Sequence, residues 1–216
     1  MSRLRPYLGV LVVIAVLAGT AIFIGMRNSS PVEKVKSESG KEVEVTPTDK
    51  MRVRTAEKAT PIDLATYRLE VVGLVDKPLS LSFDEIKGMA AEERLVKLPC
   101  VEGWTERATW KGPRLTEVLD RAGLKGDADN VVFSSPGGYT TSLTLADVRE
   151  TDPLLACEVN GMRLPDDQGF PLRLVVPNRL GYKWIKSVTG VKLIKGEYKG
   201  YWESRGYDNE ADATGR

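Results

Sequence analysis

The sequence predicts an α+β domain rich in antiparallel sheet, and three observations carry that reading. Many short segments either alternate apolar and polar side chains or run apolar for a few residues, the pattern of strands. Only a few segments have helical spacing, and each is short. Strictly alternating strand–helix units are missing, as are a GxGxxG turn and a Walker loop, which disfavours a nucleotide-binding α/β fold.

Taken in order, Tyr67-Arg68-Leu69-Glu70-Val71 alternates and reads as a half-buried strand. Asp76-Lys77-Pro78 interrupts it, and Leu79 and Leu81 continue in extended form. Ser82-Phe83-Asp84-Glu85 has capping-box spacing, in which hydroxyl and carboxylate satisfy each other's free N–H groups, and it opens a short helix through Ile86. Leu95 to Leu98 returns to strand and delivers Pro99-Cys100. Leu115, Val118, Leu119 and Ala122 share one helix face, and Gly123 ends that helix. Val131 to Phe133 and Tyr139 to Leu143 read as strands, the second followed by a short helix capped by Thr144. Leu154 to Val159 is a further strand. Asn160-Gly161 is a hairpin turn, since both residues tolerate positive φ. Leu172 to Val176 and Val188 to Ile194 complete the set.

A chain of 216 residues holds one domain of ordinary size plus an appendage. With 42% hydrophobic and 28% charged residues it builds a core without needing disulfides. The 31 Lys and Arg against 30 Asp and Glu give no reason to expect nucleic acid, which asks for a basic face. Histidine is absent, which excludes a His-based triad, a His-ligated zinc and a His-held haem within this chain. The two cysteines, Cys100 and Cys157, form no CxxC pair and cannot alone build a zinc finger or an iron–sulfur cluster. One disulfide between them stays open, and the ordinary reading of each is a buried small hydrophobe.

Three regions follow from composition. Residues 1–27 read as a single transmembrane anchor: Leu8 to Gly25 carries no charge, and Tyr7 and Met26 extend it toward the roughly 20 residues that cross a bilayer. The apolar run passes through Ile22, Phe23 and Ile24 beyond the small residues Ala18 to Ala21, which favours a retained anchor over a cleaved signal peptide. Arg3 and Arg5 put the N-terminus in the cytoplasm and the domain outside the cell membrane, against competition from Arg27, Lys34, Lys36 and Lys41. Residues 28–60 are a charged linker whose first part reads as a solvated tether. Residues 61–216 are the domain.

Cys100-Val101-Glu102-Gly103-Trp104, followed by Trp110-Lys111-Gly112 and Leu115, resembles the cysteine segment of sulfite-oxidase-type molybdopterin proteins. Gly169 to Pro177 (GFPLRLVVP) resembles that family's second signature, and Gly181-Tyr182-Lys183-Trp184-Ile185-Lys186 its third. The tail Gly200-Tyr201-Trp202-Glu203, then Arg205-Gly206-Tyr207, is similar to that of small prokaryotic members. The resemblance covers roughly residues 50 to 210. It implies a sulfite-oxidase-type fold of mixed and antiparallel sheet with short helices. It also implies a molybdopterin carrying molybdenum, or tungsten in its place, with Cys100 as the metal ligand. A thiolate is a soft donor suited to a metal that changes oxidation state. By the same resemblance Arg173, Lys183 and Lys186 meet the pterin and its phosphate, together with Gly181, Trp184 and Ile185. Ser135 stands where relatives use a Thr, and Gln168 where they carry His or Asn. Arg54 is a weaker candidate, and Ala56 and Glu57 replace a polar or His contact. Arg107 and Arg179 are candidate cations for an oxyanion substrate.

The leading function is thus oxygen-atom transfer on a small substrate, of sulfite-oxidase or sulfoxide-reductase type. Electrons would pass to or from a separate partner, a membrane cytochrome or another carrier. A second reading, motivated by the missing histidines, is a non-catalytic membrane-tethered binding or assembly subunit of the same fold.

Overall fold

The structure, a computed structural model, describes residues 34–215 apart from 38, 59 and 90. The apolar run read as a membrane anchor lies outside the described residues. Among the described residues no helix is long and apolar enough to cross a membrane.

The first strands are β1 (Lys34–Lys36) and β2 (Glu42–Glu44), which pair with each other. Then come β3 (Leu69–Gly73), β4 (Leu79–Leu81), β5 (Ala91–Pro99) and β6 (Thr105–Pro113). After these follow β7 (Asn130–Ser134), β8 (Thr140–Thr144), β9 (Leu154–Ala156) and β10 (Glu158–Val159). Last are β11 (Met162–Arg163), β12 (Arg173–Val175) and β13 (Gly190–Ile194). Three short helices join them: α1 (Phe83–Lys87), α2 (Leu115–Ala122) and α3 (Leu145–Thr151).

Local chemistry sets these elements. Ser82 and Glu85 close a capping box on α1, and Thr144 and Asp147 close another on α3. Gly123 ends α2 at φ 68°, a conformation that costs a side-chain residue energy. Asn160 and Gly161, at φ 48° and 71°, turn β10 back into β11.

Two sheets frame the molecule. A five-stranded sheet has the order β4-β3-β13-β7-β8, mixed because β13 runs parallel to β3 and antiparallel to β7. A four-stranded antiparallel sheet has the order β11-β10-β6-β5, and β9 and β12 form a separate pair. Alternate residues of β3 and β13 (Leu69, Val71, Val191, Leu193) are buried, each contributing about 1.5–3 kcal/mol of transfer free energy.

The α+β reading stands, with three differences. The nine residues of β6 were not read as a strand. Their inward positions are Glu106, Ala108, Trp110 and Gly112, which mix charge, bulk and no side chain and so hide the period of two. The single strand read from Leu154 to Val159 divides at Cys157, β9 pairing with β12 and β10 with β6. Within the segment read as linker, β1 and β2 form a hairpin and Val45 and Met51 are buried. The Thr46 N–H donates to the Arg107 carbonyl, and the Asn160 side chain to the Thr46 carbonyl.

Candidate functional site

The site begins at the turn of the β5–β6 hairpin. Pro99 faces Thr105 across the ladder, and residues 100–104 close the loop. The Cys100 N–H donates to the Trp104 carbonyl (2.9 Å), the Gly103 N–H donates to the Cys100 carbonyl (3.0 Å), and Gly103 sits at φ 87°. These bonds fix the cysteine at the end of a rigid ladder. Its half-buried, free thiol lines a cavity of about 370 Å³, within the range of small-molecule sites.

Two cations enter this cavity from the second half of the chain. Arg173, on β12, is buried and donates from Nη1 to the Gln168 side-chain oxygen (2.8 Å) and main-chain carbonyl (3.2 Å). Its guanidinium lies 5.2 Å from the ring centre of Trp110, and its Nε–H has no hydrogen-bond partner among the described residues. Burial lowers its pKa to about 10. Lys186 is half-buried and donates to the Asp167 carbonyl (2.6 Å). Burial, and then the charge of Arg173, push its pKa down to about 7. Neither cation forms an ion pair with a carboxylate among the described residues.

On the rim, Arg54 pairs with Glu102 (2.9 Å), Trp104 Nε1 donates to the same carboxylate (2.9 Å), and Arg52 stacks over the Trp104 ring at 5.0 Å. The Arg54 and Trp104 bonds hold the Glu102 carboxyl below the ordinary range. Glu57 lines another part of the cavity. It accepts from Ser135 Oγ (2.6 Å) and the Tyr139 N–H (2.9 Å), and its carboxylate lies where a Cβ on Gly137 would fall, 2.3 Å away.

The remaining wall is aromatic, and half of it comes from the tail. Tyr139 stacks on Tyr201 (5.5 Å), Tyr201 meets Trp202 edge-on (5.2 Å), and Trp202 touches Tyr207, which touches Tyr182. Of these, Tyr139, Tyr182, Trp202 and Tyr207 line the cavity. Lys183 does not. Wholly buried, it donates from Nζ to Glu203 (2.7 Å), Asn209 Oδ1 (2.9 Å) and the Ser142 carbonyl (2.9 Å).

Residues 56–202 match the family described as the oxidoreductase molybdopterin binding domain. This chain belongs to that family. Its relatives include the uncharacterized oxidoreductase YuiH of Bacillus subtilis, 36% identical over 151 residues that cover 69% of this chain and 76% of the relative. A putative protein-methionine-sulfoxide reductase subunit of Azospira oryzae is 33% identical, covering 68% of this chain and 56% of the relative. The protein-methionine-sulfoxide reductase catalytic subunit MsrP of Xanthomonas campestris pv. campestris is 37% identical, covering 63% and 48%. The chain therefore spans about half the length of these two reductase relatives. The crystal structure of the sulfane dehydrogenase SoxCD from Paracoccus pantotrophus superposes with a TM-score of 0.63 at 20% identity, over 90% of this chain and 57% of that one. That likeness shows a shared fold.

The cofactor class of this molybdopterin-binding family fits the residues present. A molybdopterin carries a phosphate, and Arg173 supplies a buried guanidinium whose Nε–H has no partner among the described residues, in the same cavity as Lys186. The structure brings Cys100, Arg173, Gly181, Trp184, Ile185 and Lys186 to one cavity. Gly181 packs against Leu98 and Pro99, 3.1 and 3.4 Å from where its Cβ would be, so the third motif touches the strand end that carries Cys100. Ser135 and Gln168 stand behind the cavity surface, reaching it through Glu57 and Arg173. Arg107 and Arg179 lie elsewhere: Arg107 lines a separate groove near Glu44, and Arg179 pairs with Asp147, Glu150 and Asp212. Cys157 is a buried thiol whose pKa burial raises. Arg52, Tyr139 and Tyr182 also line the cavity; Tyr182 belongs to the third motif, but nothing local in the sequence gives any of the three a role at the site.

Proposed function

We propose that this chain is a molybdenum-dependent oxidoreductase that removes an oxygen atom from a small sulfoxide, with Cys100 as the protein ligand to the metal. One observation carries the reading: the Cys100 thiol shares a cavity with Arg173 and Lys186, two cations that form no ion pair with a carboxylate among the described residues. The bound cofactor supplies the two-electron centre at which the oxygen atom is exchanged. The chain does the rest. Cys100 offers a soft thiolate, held by its two backbone bonds to the turn. Arg173 and Lys186 bind the phosphate. Trp104, Tyr182, Trp202 and Tyr207 exclude water and offer ring faces and edges to a sulfur substituent.

The sulfoxide direction is favoured over sulfite oxidation by the rim charges. An inorganic dianion asks for several free cations, whereas on the rim Arg54 is paired with Glu102, Arg52 lies over Trp104 beside the same carboxylate, and Arg107 and Arg179 lie elsewhere. Two relatives named as protein-methionine-sulfoxide reductases support the same direction. In the net reaction, sulfoxide, two electrons and two protons give thioether and water. The electrons come from a separate carrier, such as a membrane cytochrome. The apolar run from Leu8 to Gly25 supports a single-pass anchor with the domain outside the membrane, which would raise the carrier's effective concentration.

The test is metal and pterin content of protein made in its native host, with sulfoxide reduction driven by a reduced dye. Wild type should carry stoichiometric molybdenum and pterin, whereas Cys100→Ser should stay folded, lose turnover and release most of its metal. Natively made protein with neither metal nor pterin would defeat this reading and leave a cofactor-free binding subunit in its place.

A further inference from the structure

The tail from Gly200 to Asn209 forms a strap across one side of the cavity, and its attachment is unusual. Tyr201 N–H donates to the Thr140 carbonyl, and Gly200 lies so close to β8 that a Cβ there would fall 2.3 Å from the same oxygen. Beyond these contacts the Tyr182 hydroxyl donates to the Asp208 carbonyl (2.6 Å), and the strap is tied by charge as well. The side chains of Glu203 and Lys183 are both 0% exposed and meet at 2.7 Å. Thr141 Oγ1 adds a bond to the same carboxylate oxygen (2.6 Å), and Asn209, at the far end of the strap, accepts from the same ammonium. Between Glu203 and Asn209 stands Tyr207, and just before Glu203 stands Trp202; both line the cavity. Charged groups are rarely buried where apolar ones would serve, because their desolvation must be offset by their pairing.

We propose that Lys183 and Glu203 form a buried latch that holds the strap, so that Trp202 and Tyr207 become the wall selecting which sulfoxides reach Cys100. Lys183 is then a positioning residue acting through Glu203, not a ligand of the cofactor. The selection of sulfoxides rests on the function proposed above; the latch itself does not.

The decisive variant is the doubly substituted holoprotein Lys183→Met/Glu203→Leu, which removes both charges and keeps the volume. Its pterin and metal content should match wild type. Acrylamide quenching of tryptophan fluorescence should rise, and the rise should vanish when Trp202→Phe is added. The KM for a bulky aryl sulfoxide should increase roughly three- to tenfold, while kcat on dimethyl sulfoxide stays within about twofold. Asn209→Ala removes one strap contact from Lys183 without uncovering a charge, and should shift quenching in the same direction by less. If the double variant does not fold, this milder change carries the test. Loss of pterin from a folded double variant would make Lys183 a cofactor ligand and overturn the latch. Unchanged quenching in both variants would also overturn it. A wild type that binds pterin but reduces no sulfoxide would remove the substrate assignment alone, since quenching and pterin content still report on the latch.

Discussion

Lys186 carries a charge that the protein can set by pH. Burial and the neighbouring Arg173 lower its pKa to about 7, against 10.5 in an unfolded chain. Between those values the unfolded chain holds a proton that the folded, cofactor-free protein has released, so stability rises with pH across that window. Below it the folded protein bears the full cost of a poorly solvated ammonium. The thermal midpoint of cofactor-free wild type should therefore climb from pH 7 to pH 10 relative to Lys186→Met. Parallel profiles would show that the ammonium is not strained. At this scale the sequence was readable where a motif residue reaches the cavity with its own side chain, as Cys100, Arg173 and Lys186 do. It was unreadable where direction decides. Lys183 and Lys186 sit three apart in one motif, yet one ammonium turns into a buried cluster with Glu203 while the other lines the cavity. For Glu57 the resemblance marks only the place of an expected polar contact; its partners Ser135 and Tyr139 reach it only through the fold.

Among the elements, β6 does the most to shape the site, joining the Cys100 turn to the strands behind it. A Cβ on Gly112 would lie 2.1 Å from the Leu155 carbonyl and 2.8 Å from the Ala156 Cα, so β6 meets β9 with no room for a side chain. Backbone atoms cannot swing aside. Gly112→Ala is expected to cost about 2–3 kcal/mol, read as a fall in thermal midpoint of roughly 5–10 °C. A change of under about 1 °C would mean that the two strands slide apart freely. Helix starts were legible because a capping box is local chemistry, as at Ser82–Glu85 and Thr144–Asp147. Strand β6 was not, since its buried face carries Glu106 and Gly112 among its members. Those residues answer to partners elsewhere: Glu106 accepts the Arg52 N–H (2.6 Å), and Gly112 yields to Leu155.

At the scale of the molecule, the cavity is assembled from pieces that are distant in the chain: residues 52–57, the Cys100 turn, Tyr139, the 181–186 loop and the strap. A ligand touching all of them must stabilise them together. Hydrogen exchange should show residues 100–104 and 181–186 gaining protection in concert on cofactor loading, with the β1–β2 hairpin unchanged. Protection confined to one of the two loops would mean that the cofactor is held from one side only. The sheet content and the order of motifs were legible from the sequence. The pairing was not, because apolar alternation marks a strand without naming its neighbour. The central strand β13 shows what this arrangement imposes. It lies between β3 and β7, with Gly190 against both Glu70 and Ser134, and it follows directly on the Lys186 loop. On the ribosome, β3 and β4 emerge early and must wait for a strand that is translated more than a hundred residues later. Without β13 neither β3 nor β7 has its inner neighbour in the sheet. The cavity walls supplied by residues 181–186, 202 and 207 and the central strand of the sheet thus both come from the last part of the domain to leave the ribosome.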